Sequence, residues 1–120
     1  MIEQLISRVF YARNVAHFEH WRAQGTGSYA KHAALGQFYE DVIDGLDSLV
    51  EAYQGAFDII GNIPAPPATK GDVLKLLEGD AAWIEENHES ICQGSRAIAN
   101  LIDGVTGVYL STIYKLRNLK

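Results

Sequence analysis

The chain has 120 residues, 48% of them hydrophobic, with 10 Lys and Arg against 15 Asp and Glu and a net charge of −5. That length makes one domain, 1–120, able to bury roughly two thirds of its unfolded surface, and the acidic balance argues against direct DNA binding, which needs a basic face to displace counterions. A single cysteine, Cys92, excludes an internal disulfide framework and a cysteine-based zinc knuckle; with no apolar run near ~20 residues and an acid early in Met1–Leu5, the expectation is a cytoplasmic protein without a membrane partner.

The first predicted helix, about six turns long, precedes the turn Gly25-Thr26-Gly27-Ser28. Ile2, Leu5, Val9, Ala12, Ala16 and His20 recur at three- and four-residue steps, which is the period of an amphipathic helix. Gly25 suits its C-terminal cap and Ser28 the N-cap of the next helix. That second helix is predicted over about 29–60, with a core row of His32, Gly36, Tyr39, Ile43, Leu46, Val50, Tyr53, Phe57 and Ile60. A helix of that length needs a neighbour along it, from its own chain or another. The three prolines, Pro64, Pro66 and Pro67, mark a crossover. A short helix is expected over about 71–78, broken by Gly79-Asp80 with Asp80 as a cap. A helix over about 80–102 follows, then a corner at Asp103-Gly104 and a last helix over about 105–118. The fold expected is all-α: a four-helix bundle whose first pair is antiparallel, with a short extra helix in the crossover between helices 2 and 3.

Helical bundles hold metals by projecting histidines and carboxylates inward. The antiparallel turn brings His20, near the end of the first helix, close to His32, near the start of the second. Asp47 and Glu51, four apart, share one face of the second helix. They lie 15 and 19 residues beyond His32, which is about 22–28 Å along the axis. One chain therefore cannot bring all four to one ion, whereas two chains packed antiparallel along this helix can. Each residue also has a plainer reading: backbone-bonded histidines, a solvated acidic face continuing Glu40, Asp41 and Asp44, and Trp21 as packing. His17 and His88 read as surface histidines and Cys92 as a small buried hydrophobe.

The stretch Ala16-His17-Phe18-Glu19-His20-Trp21-Arg22-Ala23-Gln24-Gly25 resembles the His-Trp-x-x-x-Gly signature of the Dps family, the miniferritins of the ferritin-like superfamily. His32 falls 12 residues after His20, as the family's second histidine does, and Asp47 and Glu51 fall where the family has its Asp-x-x-x-Glu pair. The resemblance covers about residues 13–55. It implies a ferritin-like bundle, a homodimer or larger homo-oligomer, and a ferroxidase site between two-fold-related subunits. Its ligands would be His20 and His32 of one copy and Asp47 and Glu51 of the other, with Trp21, Gly36 and Glu40 near the site. One departure stands out. The family carries an Asp four residues after its second histidine; here that position is Gly36, with no acid at 35 or 37.

Two functions follow as expectations. The first is a Dps-like protein that binds Fe(II), or zinc as the alternative ion, at the inter-subunit site, with iron as the species oxidised. The second is a ferritin-like bundle with no metal, acting as an oligomeric structural or interaction module, which Gly36 favours.

Overall fold

The computed structural model describes residues 1–67 and 72–120. Four helices follow in order: α1 (Ile2–Arg22), α2 (Ser28–Ala56), α3 (Val73–Cys92) and α4 (Arg96–Asn118). Among the described residues there is no strand, and no helix is long and apolar enough to cross a membrane.

Neighbours in the bundle are α1 with α2, α2 with α4, α4 with α3, and α3 with α1. Side-chain pairings show every neighbouring pair to be antiparallel. Phe38 packs on Tyr109 and Gly45 faces Val105, so α2 and α4 run oppositely. His88 pairs with Asp103 and Arg117 with Glu78, so α3 and α4 do too. The end of α2 lies by the start of α1, where the Gly61 N–H donates to Glu3 Oε2 at 2.8 Å. The start of α3 lies at the opposite end, where Asp72 and Val73 share a cavity with Gly27 and Lys120. Consequently α2 and α3 are parallel, and the single connection between them runs back along the bundle. The 29 residues of α2 amount to about 43 Å of helix, close to the 47 Å long axis of the molecule.

One interior cluster joins all four helices: Ile2, Leu5 and Val9 of α1, Leu35, Phe38 and Leu49 of α2, Leu77 and Ile84 of α3, and Ile102, Val105 and Tyr109 of α4. In α1 the predicted row is the buried one up to Ala16. In α2 the predicted row is displaced. The buried side chains are Leu35, Phe38, Val42, Leu46 and Leu49, while Tyr39, Ile43, Val50, Tyr53 and Ile60 flank them half-buried. A helix this apolar on adjacent rows offers two faces, and the position of α4 decides which is covered.

Several boundaries differ from expectation. The residues expected as a separate crossover helix are the first turns of α3, with Gly71 outside the described residues, and the described part of the crossover is not helical. Gly79 does not break α3, because Leu77, Asp80 and Ile84 are held in the core on either side of it. Burial of that face outweighs the ~1 kcal/mol that glycine costs in a helix. Asp80 is no cap; Asp72 is, accepting from the Lys75 N–H at 3.0 Å. Asp103-Gly104 is no corner either, being inside α4. The chain turns instead at Gln93 and Gly94, which have φ of 50° and 81°, and Ser95 caps α4 through the Ile98 N–H. At the first turn Gly27, with φ of 80°, is the N-cap residue of α2, and Ser28 is its first helical residue. α2 ends at Ala56, four residues short of the expected end.

Candidate functional site

The α1–α2 turn places His20 in the last turn of α1 and His32 in the first turns of α2. Their rings stack with centroids 3.7 Å apart and planes 17° from parallel. Each ring also reaches the opposite backbone. His20 Nδ1 lies 2.7 Å from the His32 carbonyl oxygen, and His32 Nδ1 lies 2.9 Å from the His20 carbonyl oxygen. A nitrogen facing a carbonyl must carry the proton and donate. In its neutral form each ring is therefore the Nδ1–H tautomer, which leaves the Nε2 lone pair free. The His20 carbonyl belongs to the last turn of α1, whose carbonyls have no partner within the helix, so His32 also acts as a C-terminal cap.

Gly36 explains why the pair fits. A Cβ at this position would lie 3.1 Å from His20 Cε1 and 3.2 Å from its Nδ1. The missing side chain is the seat of the His20 ring. A side chain at 36 would press on the observed ring and require it to give by a few tenths of an ångström, so the absent acid and the stacked histidines are linked.

An aromatic ladder continues outward. His17 stacks on Tyr39 at 3.9 Å and meets Trp21 at 4.2 Å with the planes tilted by 41°, and Tyr39 meets the edge of His20 at 5.3 Å. Trp21 is 67% exposed and Tyr29 81% exposed, and Phe10 and Phe18 add further exposed aromatic surface on α1. Trp21 is thus a surface residue in tilted contact with His17, not part of the core.

Asp47 and Glu51 are exposed on α2, far along the helix from His32, as expected for one chain. Asp47 follows the buried Leu46 and faces outward, so it needs no internal partner. Glu40 is likewise exposed. Among the described residues no three histidines, cysteines or carboxylates come together within one chain in a way that could hold a metal. His88, read as a solvated residue, lies 2.9 Å from Asp103 through Nε2 and ties α3 to α4. Cys92 is buried as expected.

A second polar cluster lies inside the bundle. Asp80 is 2% exposed, accepts from Arg8 Nη1 at 3.1 Å and from the Tyr109 hydroxyl at 2.9 Å, and so joins α1, α3 and α4. The Arg8 guanidinium lies over the Trp83 ring at 4.7 Å. Burial pushes the Asp80 carboxyl above the ordinary carboxylate value, with the Tyr109 and Arg8 hydrogen bonds opposing it. Burial, then the Asp80 charge, pushes the Tyr109 hydroxyl well up. The signal was present in the sequence: Asp80 stands between Leu77 and Ile84 at three- and four-residue steps, a charge within an apolar row.

The model of a protein family of unknown function, DUF5856, matches residues 20–116, a span that runs from His20 and includes His32, Asp47 and Glu51. No curated protein matches the chain, and no solved structure does.

Proposed function

The chain belongs to the DUF5856 family, and on that premise we propose that it is a ferritin-like bundle that works as a homo-oligomer and binds Fe(II) between copies. The observation carrying this reading is the histidine pair. Nδ1 of each ring donates to a backbone carbonyl while Nε2 keeps its lone pair, which is how metal-binding imidazoles are oriented. The chain supplies only half of a site, so the carboxylates come from Asp47 and Glu51 of a second copy. The exposed aromatics of α1 provide the apolar surface for that copy. One lengthwise crossover in an otherwise antiparallel bundle, the connection typical of ferritin-like folds, supports the same reading. Imidazole with carboxylate suits Fe(II), and also Zn(II).

The chemistry follows from the donor set. Two imidazoles and two carboxylates stabilise the oxidised ion more than the reduced one, because the carboxylates add negative charge. Two Fe(II) would then give one electron each to a co-substrate peroxide, which with two protons leaves as two waters, or to O₂, which with two protons leaves as peroxide. Without an acid at 36, fewer carboxylates neutralise that charge.

An anaerobic Fe(II) titration by calorimetry tests the reading. Saturable binding is expected in the wild type and its loss in both His32→Ala and Asp47→Ala. Mixing those two variants should restore about a quarter of the sites, since half of randomly paired dimers are mixed and one of their two sites is intact. No saturable binding, or no restoration on mixing, overturns the shared site. Loss of binding altogether leaves the second reading, a metal-free oligomeric module. The specific observation in its favour is that Gly36 and the two backbone bonds account fully for the stacked histidines as a clamp on the α1–α2 hairpin.

A further inference from the structure

We propose that the outward face of α4 is a self-contact surface, on which two copies of the chain pair antiparallel along this helix. In the ring of helices α4 lies diagonally opposite α1. The contact therefore leaves the α1 aromatics and the histidine pair free, and the iron-binding reading does not use it.

α4 buries Ile98, Ile102, Val105 and Tyr109 on its inner side and turns a regular row outward. Asn100, Gly104, Gly107, Ser111, Tyr114 and Asn118 are all exposed, and they follow one another at alternating steps of four and three. Such a row repeats about every 3.5 residues, the spacing that keeps one helix facing another along its length. From Asn100 to Asn118 it runs about 27 Å. Glycine and serine at its centre let a second helix approach closely, and Leu110 and Tyr114 beside them are large apolar side chains left in solvent.

The row is complementary to itself, which identifies the occupant as a second copy. A two-fold axis midway between Gly107 and Ser111 sets these two opposite each other, Asn100 opposite Asn118, and Tyr114 opposite Gly104. Tyr114 is 55% exposed, and a Cβ added at Gly104 would meet nothing within 4 Å, so the largest side chain of the row faces the emptiest position. A parallel pair would set Tyr114 against Tyr114 and Gly104 against Gly104, which fits neither. Charge agrees. Asp103, Leu110 and Arg117 stand seven apart along one flank of the row, and in an antiparallel two-fold pair like flanks meet. Asp103 of each copy then reaches Arg117 of the other, with Leu110 on Leu110 between the two ion pairs. Within the chain Asp103 bonds His88 and Arg117 bonds Glu78, yet their side chains are 65% and 54% exposed and keep an open side.

The test is sedimentation equilibrium of the full chain in a Trp21→Glu background, which disables the aromatic surface of α1, so that the association read is that of α4. A concentration-dependent monomer–dimer equilibrium is expected. Gly104→Phe fills the place of the opposing Tyr114 with a side chain that has open space in the single chain; it should fold normally and weaken dimerisation about tenfold by overpacking. Asp103→Arg and Arg117→Asp, each alone, bring like charges together at both flank contacts and should also weaken it about tenfold. An equimolar mixture of those two should recover dimerisation, because one copy then carries both cations and the other both anions, and native mass spectrometry should show the heterodimer in excess. A monomer at every concentration, an unchanged equilibrium in Gly104→Phe, or a mixture no more associated than its components would each overturn the assignment.

Discussion

Replacing Gly36 by alanine separates two opposing effects whose sizes can be worked from the structure. Glycine inside a helix costs about 1 kcal/mol relative to alanine. At Gly107, inside α4, an added Cβ meets nothing within 4 Å, so Gly107→Ala should gain that full ~1 kcal/mol. At Gly36 the same methyl would stand 3.1 Å from His20 Cε1 and 3.2 Å from Nδ1. The ring cannot simply retreat, because His32 is stacked on it at 3.7 Å and its Nδ1 is anchored at 2.7 Å. Displacement costs about 1 kcal/mol for the hydrogen bond and about 0.5–1 kcal/mol for the stacked pair. Gly36→Ala should therefore destabilise by about 0.5–1 kcal/mol, some 1.5–2 kcal/mol worse than Gly107→Ala, combining those terms. Thermal denaturation at fixed pH measures both, and the pair should differ in midpoint by about 6–10 °C. In a His20→Ala background the penalty should vanish and Gly36→Ala should stabilise by about 1 kcal/mol, a coupling that a double-mutant cycle reads directly. If Gly36→Ala stabilises the wild type as much as Gly107→Ala does, the ring is not seated on this glycine and the account of the missing acid fails.

Asp80 sets an unusual pH dependence. Its folded pKa lies above the ordinary 3.8, so the folded state holds the proton longer. The stability this contributes is full below 3.8 and is lost as pH rises through the folded value. The stability difference between wild type and Asp80→Asn should fall as pH rises from 3.8; a flat difference in urea melts across that window would refute it. Glu3 has the opposite sign. Its carboxylate accepts from the Gly61 N–H, which lowers its pKa below 4.5, and its contribution is present above 4.5 and lost as pH falls through the folded value. On the surface, Trp21→Glu should leave the helical spectrum unchanged and shift sedimentation equilibrium toward monomer; an unchanged mass would place the self-contact elsewhere. Ser95→Ala should cost about 1 kcal/mol in urea melts, the usual worth of an N-cap, and a loss under a few tenths would show that the Ile98 N–H finds another acceptor.

Local chemistry makes much of this protein legible in its sequence. The three- and four-residue recurrence of Ile2, Leu5, Val9, Ala12 and Ala16 determines α1 and its buried face, because a helix puts those side chains on one side. The turn at Gly25-Thr26-Gly27-Ser28 brings His20 and His32 together, because a helix pair joined by so short a link must fold back. The four-residue step from Asp47 to Glu51 likewise sets both on one face of α2, clear of their own chain's histidines.

Tertiary structure decided the rest, wherever neighbours outweighed a local preference. Gly79-Asp80 and Asp103-Gly104 look like ends by propensity, yet helices run through both. Propensity is worth about 1 kcal/mol, and burial of Leu77, Ile84, Ile102 and Val105 against the other helices exceeds it. The buried row of α2 depended on where α4 lies, which no period within α2 contains. Asp80 became an interior anchor only because Arg8 and Tyr109, distant in sequence, arrive on either side of it. Gly36 reads in sequence as an absence; in three dimensions it is where His20 packs, because a Cβ there would stand only 3.1 Å from the ring.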